Sequence, residues 1–344
     1  MKFLHLAKPA FEPLLRRELI LGGHTDAATA GPGAESATPP DPILPPPDAP
    51  LPFDLCFATT TLADPATLEA GTVNGLIGGL GDYFATAFRD VRITTPWPLQ
   101  FVAAPGTDGL GGRATVLARE WQRWLDGRMS RVAKLASEDT PAPHVLHRGL
   151  LVFVSGYDRL TAATRFQFWG QRRMKDDPKA PSRSYLKVEE AYGVLGEEPA
   201  TGQTVADLGA APGGWSYSAA RHGARVDAVD NGPLKAGAAG NPLITHRRED
   251  AFTFRPAPGR RYDWLFCDMI ENPYRVTELV ERWVAEGWCR HFIVNLKFGH
   301  HDPVVLAAKL REPGRGLIRN CAVLRIRHLF HDREEITLVG RANS

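Results

Sequence analysis

The sequence of 344 residues has few cysteines, almost no net charge and no long apolar run, and each shortage excludes something. Its four cysteines, Cys56, Cys267, Cys289 and Cys321, lie far apart, form no CxxC pair and have no histidine at metal-ligand spacing. A disulfide scaffold and a zinc site are therefore excluded, and reduced, mostly buried thiols in a cytoplasmic protein are expected. No stretch of about 18 uncharged apolar residues occurs, so no membrane-spanning helix is read. The N-terminal "MKFLHLAKPAFEPLLRREL" breaks its apolar residues with charges and lacks the apolar block of a signal peptide. Lysine and arginine number 41 against 39 acids, a net charge of +2, so any nucleic acid must be gripped by a local patch. What is present is ordinary for a globular chain, 43% hydrophobic and 23% charged, and long enough for two or three domains.

Proline and glycine crowd residues 31–53, where no regular element is expected to persist. Before this insert, "MKFLHLA" reads as a strand and "AFEPLLRRELILGG" as a helix; after it, "FDLCFATTTLA" reads as a returning strand. From about 66 to 156 the pattern is α+β, with helices in "ATLEAGTVNGLIGGLGDYFATAF" and "ATVLAREWQRWLDGRMSRVAKLA" and strands in "DVRITTPW" and "HRGLLVFVSGYD". The second of these helices carries Arg123, Arg128, Arg131 and Lys134 with Trp121 and Trp124, which suits either a solvated basic face over a tryptophan core or an RNA surface. Residues 166–187, "FQFWGQRRMKDDPKAPSRSYLK", combine aromatics with excess base and read either as a charged linker or as a nucleic-acid path.

Beyond residue 183 a helix, "SYLKVEEAYGVL", precedes seven short apolar strands, several of them separated by helices. Such alternation demands crossovers and hence a mostly parallel sheet, while the short "HDR" link between the last two strands demands an antiparallel hairpin. This is the α/β layout of a Rossmann-like seven-stranded methyltransferase domain. Ligands of such sheets bind outside the carboxyl ends of the strands, beside the first of them. There stands "DLGAAPGGW", in which Gly209, Gly213 and Gly214 permit close backbone approach and Pro212 fixes the turn. The spacing is not the GxGxxG of a pyrophosphate cradle, so a nucleoside without phosphates, such as S-adenosylmethionine, fits better. Asp230 ends the second strand, where it could accept from both ribose hydroxyls, and Asp250 follows the third, where it could accept from an adenine amine; either alone could be a helix cap.

Four charged residues then converge on the same rim. Asp268 ends the fourth strand, Lys297 ends the fifth, Glu335 opens the antiparallel last strand, and Lys187 comes from the helix before the first. In order and context they resemble the Lys-Asp-Lys-Glu tetrad of RNA ribose 2'-O-methyltransferases of the FtsJ type. More narrowly, "PSRSYLKVEEAY", "DLGAAPGGWSY", "VDNGP", "WCRHFIVNLK" and "HDREEITL" resemble the ribosomal RNA large subunit methyltransferase M family, most specifically over residues 181–344. The resemblance implies methylation of a cytidine 2'-hydroxyl in 23S ribosomal RNA, with S-adenosylmethionine as cofactor and no metal. It implies Lys187, Asp268, Lys297 and Glu335 as catalytic residues. Ser184, Gly209, Ala211, Pro212, Gly213, Gly214, Trp215, Asp230, Asp250 and Asp268 would form the cofactor site. It divides the chain into a ferredoxin-like region (1–60, with the insert at 31–53), a THUMP-like RNA-binding domain (61–175) and the methyltransferase domain (176–344).

A ribose hydroxyl must be oriented and must lose its proton as it attacks. Lys297 could act as base if its pKa were lowered, or orient the oxygen if it stays charged, with Asp268 positioning it and Lys187 and Glu335 setting the field. Two rivals remain on sequence grounds. "ENPY", residues 271–274, has some likeness to the loop of amino-methyltransferases but reads as a turn before a helix, and Cys267 points away from Asp268 by strand alternation and reads as a core thiol. A non-catalytic RNA-binding assembly factor would have no reason to keep the four charges.

Overall fold

The short apolar run in "KFLHLA" and the apolar periodicity of residues 12–21, closed by Gly22, start the chain as strand and helix. The computed structural model describes residues 2–24, 33–37, 51 and 53–343. They divide into two compact units, one made of 1–53 and 57–169, the other of 54–56 and 170–344.

The first unit runs β1 (Lys2–Ala7), α1 (Glu12–Leu21), β2 (Gly33–Ala37), β3 (Ala58–Ala63), β4 (Ala66–Glu69), α2 (Val73–Ala87), β5 (Trp97–Ala103), α3 (Leu110–Arg128), α4 (Ser130–Ala133), β6 (Ala136–Ser137), β7 (His147–Val154) and β8 (Arg159–Phe168). Strands from both of the segments expected as separate domains, 1–60 and 61–175, lie in one sheet of order β2-β1-β3-β8-β7-β5-β6, with β4 also on β8. Trp121, Phe84 and Trp97 pack in its core, and losing a buried ring of this size costs about 3–5 kcal/mol.

Four expectations are corrected here. Within the proline-rich insert, Gly33–Ala37 is an antiparallel partner of β1, because this run contains no proline and can supply ladder hydrogen bonds; residues 38–50 lie outside the described residues. Residues 66–69 are a strand on β8, not the start of a helix, and α2 begins only after Thr72, whose Oγ1 accepts from the Gly75 N–H at 3.1 Å. The strand read in "DVRITTPW" begins only at Trp97 and continues to Ala103, along β7. Residues 166–168, read as the front of a linker, are the end of β8, paired with β3 and β7.

The second unit runs α5 (Tyr185–Leu195), β9 (Thr204–Leu208), α6 (Gly214–Arg221), β10 (Arg225–Val229), β11 (Ile244–Arg247), β12 (Tyr262–Cys267), α7 (Pro273–Ala285), β13 (Cys289–Lys297), α8 (Pro303–Leu310), α9 (Gly316–Asn320), β14 (Cys321–Arg327) and β15 (Glu335–Ala342). All seven expected strands form, in the order β11-β10-β9-β12-β13-β15-β14, and β15 alone runs opposite in direction to the other six. This is the Rossmann-like methyltransferase sheet. Strand order reverses between β9 and β12, which opens a crevice at their carboxyl ends. The segment before α5 is tied down in this unit: the Arg172 N–H donates to Glu190 at 3.1 Å and the Met174 N–H to His331 Nε2 at 2.8 Å. Among the described residues no helix is long and apolar enough to cross a membrane.

Candidate active site

Strand register builds the charged cluster. In the antiparallel β13–β15 pair Lys297 stands directly opposite Glu335, and Asn295 opposite Thr337, so alternation puts all four on one face. Asp268 follows the end of β12, the parallel neighbour of β13. The Lys297 ammonium donates to Asp268 Oδ1 at 2.6 Å and to Glu335 Oε2, while Lys187, from the first turn of α5, pairs with Glu335 Oε1. The four residues expected to converge are therefore in one chain of contacts, Lys187 to Glu335 to Lys297 to Asp268.

Burial works to lower the Lys297 pKa, but the adjacent Asp268 and Glu335 carboxylates outweigh it and hold the ammonium above its ordinary value. Burial likewise pushes Glu335 up, and the two lysine charges more than reverse this, keeping the carboxylate ionised. The cluster is thus a set of held charges. Of the two roles open to Lys297, this environment suits the cation that orients, not the neutral base.

A second layer was not singled out in the sequence. Asn295 Nδ2 donates to Asp268 Oδ1 at 3.1 Å, the Thr337 hydroxyl donates to Asn295 Oδ1 at 2.6 Å and contacts Asp332 Oδ2 at 3.0 Å. Asn295 and Thr337 sit two residues from Lys297 and Glu335 on the same strands, a period-2 signal that could have found them. Asp332, buried in the loop before β15, gives no such signal; burial, then the charge of Glu335, pushes its carboxyl up to about 7. Asp207, at the end of β9, is pushed up to about 7 by burial, and accepts the Ser216 hydroxyl at 2.6 Å. It stood unassigned within "DLGAAPGGW".

Beside the cluster lies a crevice of about 440 Å³, lined by Gly209, Ala211, Asp230, Asp250, Asp268 and Met269 among others. Glu249 and Glu271 complete five acids on its walls, and no lysine or arginine lines it. Such walls repel phosphates and suit a cationic ligand. Asp230 braces the crevice, accepting the Ala211 N–H at 2.9 Å and the Gly232 N–H at 2.7 Å. Asp250 lines this crevice and is not a helix cap: residues 251–253 form a turn, in which its Oδ1 accepts the Phe252 N–H at 2.8 Å. At Gly209, with φ of +77°, a Cβ would meet Met269 Cγ at 2.4 Å, so only glycine admits the β12 loop this close.

Five residues expected at the cofactor do not line this crevice. Ser184 hydrogen-bonds Ser182 at 2.7 Å, and its carbonyl accepts the Trp215 indole N–H at 3.0 Å. Gly214 is small because the two serine hydroxyls occupy the space of its Cβ, and Gly213 packs against Ala238. Pro212 is bonded through its carbonyl to the Lys235 N–H at 2.9 Å. Trp215 is buried, edge-on to Phe266 with ring centroids 5.8 Å apart, because a large ring on the inner face of α6 is worth more in the core. These contacts fix the start of α6. Asn272 caps α7, accepting the Tyr274 N–H at 2.9 Å, and Cys267 is buried with its thiol pushed up to about 12 by burial. Neither is placed as a nucleophile or a base-amine ligand.

Residues 180–283 match the FtsJ-like methyltransferase family model. Over 311 residues the chain is 35% identical to the ribosomal RNA large subunit methyltransferase M of Laribacter hongkongensis, covering 85% of this chain and 83% of that one. The protein of the same name from Xanthomonas oryzae pv. oryzae is 37% identical over 254 residues, 70% of this chain and 71% of that one. That of Thauera aminoaromatica is 42% identical over 176 residues, 49% and 48% of the two chains.

Proposed function

Because the chain belongs to the ribosomal RNA large subunit methyltransferase M family, we propose that it transfers a methyl group from S-adenosylmethionine to a ribose 2'-hydroxyl of large-subunit ribosomal RNA, that of a cytidine in the 23S species. The observation that carries this reading is the convergence of Lys187, Asp268, Lys297 and Glu335 beside an acid-walled crevice.

The crevice residues fit S-adenosylmethionine. Its walls favour a positively charged nucleoside and disfavour a dinucleotide, and Asp230 stands where ribose hydroxyls would be accepted. When bound, the cofactor supplies a sulfonium methyl, an electrophile that needs no further activation. Everything else falls to this chain. Lys297, held cationic, donates to the 2'-oxygen and stabilises the negative charge that grows as the hydroxyl proton leaves to water. Asp268 and Glu335 hold the ammonium in one orientation, and Lys187 keeps Glu335 ionised so that Lys297 stays between two anions. Asn295 and Thr337 restrain Asp268 in turn. Holding both reactants in line supplies much of the acceleration. The first unit is proposed to dock RNA, in keeping with its likeness to ferredoxin-like and THUMP parts.

The test is to incubate the protein with labelled S-adenosylmethionine and unmodified large-subunit rRNA and to map the mark. A 2'-O-methyl on one cytidine is expected, with turnover falling about 10²- to 10³-fold in Lys297→Met, as for removal of one preorganised donor. A mark on a base nitrogen, or transfer that survives Lys297→Met, overturns the reading.

A further inference from the structure

The first unit holds a second cavity, of about 410 Å³, lined by Phe84, Phe88, Ile93, Met129 and Val132 and rimmed by Arg89, Arg128 and Arg131. It lies where the C-terminal ends of α2 and α3 meet α4. A fourth cation joins the rim: the Arg148 guanidinium sits 5.3 Å from the Phe88 ring centroid. All four arginines are exposed, and among the described residues none is paired with a carboxylate. Of the other arginines of this unit, Arg119 and Arg123 are paired with Glu120 and Arg159 with Glu69. Asp126, on α3, is bonded to Gln122 instead.

Two further features set these charges apart from a solvated basic face. Arg128 and Arg148 are held over Trp124 and Phe88, at 5.2 and 5.3 Å, which fixes where their charge is presented. Arg148 also stands directly across β7–β8 from Arg165, a like-charge pair that the Asp64 carboxylate offsets from the Arg165 side. An apolar-lined pocket of about 410 Å³, with four guanidinium groups that have no carboxylate partner among the described residues at its mouth, matches a nucleotide: a base enters the pocket while phosphates on either side meet the arginines.

We propose that this cavity is a binding site for single-stranded RNA, separate from the charged cluster and engaging one unstacked nucleotide together with its flanking phosphates. The choice of RNA over another polyanion rests on the rRNA substrate proposed above. The helix whose basic residues suited either a solvated face or an RNA surface thus has its RNA side at its C-terminal end, at Arg128, while Arg123 is neutralised.

The experiment uses the full chain and a fluorescein-labelled single-stranded RNA oligonucleotide, read by anisotropy across a salt series. Arg128→Gln/Arg131→Gln should weaken binding about tenfold or more and lower the slope of log Kd against log salt by about 1.4, at about 0.7 for each phosphate left without its arginine. Arg159→Gln, which removes a paired arginine of the same unit, should leave both unchanged. In methyl transfer the double variant should raise KM for rRNA and leave kcat as it was. Should the double variant fail to fold, Arg148→Gln, a single exposed change, is read in the same way. Unaltered RNA affinity and salt slope overturn the proposal, as does a result in which a glutamate-rich peptide, not RNA, loses affinity. Binding is measured without turnover, so a protein that never methylates rRNA but binds RNA through these arginines refutes the enzymatic reading alone.

Discussion

The two units treat arginine and lysine in opposite ways. Around the crevice of the second unit every amine of the cluster is matched: Lys297 lies between two carboxylates and Lys187 shares one of them. Around the apolar cavity of the first unit four guanidinium groups have no carboxylate partner among the described residues. Neutralised charges cannot attract a distant polyanion, but their geometry is fixed before a substrate arrives, which is what chemistry requires. Unneutralised charges position no reacting group, yet they displace the counterions condensed on a nucleic acid when they meet its phosphates, which is what affinity requires. The net charge of +2 hides this division, because the balance of the whole chain averages over both.

The comparison can be broken at its strongest point by setting Lys297→Met beside Arg128→Gln/Arg131→Gln. The first should lower kcat about 10²- to 10³-fold with RNA affinity kept, and the second should do the reverse. If both move the same constant, the division of labour is wrong. Next in size is Asp230→Ala, which removes two charge-assisted hydrogen bonds that brace the crevice. Calorimetric titration with S-adenosylmethionine should show affinity reduced by about tenfold or more, with RNA affinity unaltered; an unchanged titration would move the cofactor elsewhere.

The smallest effect sharpens the picture of the second layer. Asp332 has a carboxyl pushed up to about 7 by burial, then by Glu335, whereas in the unfolded chain it releases its proton near about 3.9. Between these values the folded state holds more protons. Its stability contribution is therefore fully present below about pH 4 and is lost as pH rises towards 7. Asp332→Asn cannot ionise, so its stability relative to the parent should climb across that window, by a few kcal/mol at most, and level off above it. Urea unfolding of the two proteins at about pH 4.5, 6 and 8 measures this; parallel curves would show that the buried acid is not protonated.

Much of the second unit was legible because its signals are local. Each strand is a short apolar run, and a charge that closes or opens such a run has to lie at the sheet rim, which is how Asp268, Lys297 and Glu335 could be brought together before any coordinates. Packing partners are not local. Nothing near Gly214 says that Ser182 and Ser184 fill its side, and nothing in "GGW" says that Trp215 turns inward to Phe266. In the first unit tertiary pairing overrode propensity: Ala66–Glu69 has helix-forming residues, yet it completes a ladder on β8. The end of β8 was concealed by the basic residues that follow it, and β5 by prolines at 96 and 98 that shift its start. Of the glycine-rich turn, Gly209 and Ala211 line the crevice while Gly213 and Gly214 are packed against side chains, because glycines serve tight packing and open approach alike.

The antiparallel last strand has one more consequence. β15 is threaded between β13 and β14, so the acid shared by both amines comes from the last strand in the order of the sequence. A chain interrupted after residue 330 would keep Lys297 beside Asp268 but would leave Lys187 without the carboxylate that links the two amines. Completion of the charged cluster is thereby coupled to the closing hairpin: until β15 is seated, the chain of contacts from Lys187 to Asp268 is broken at Glu335.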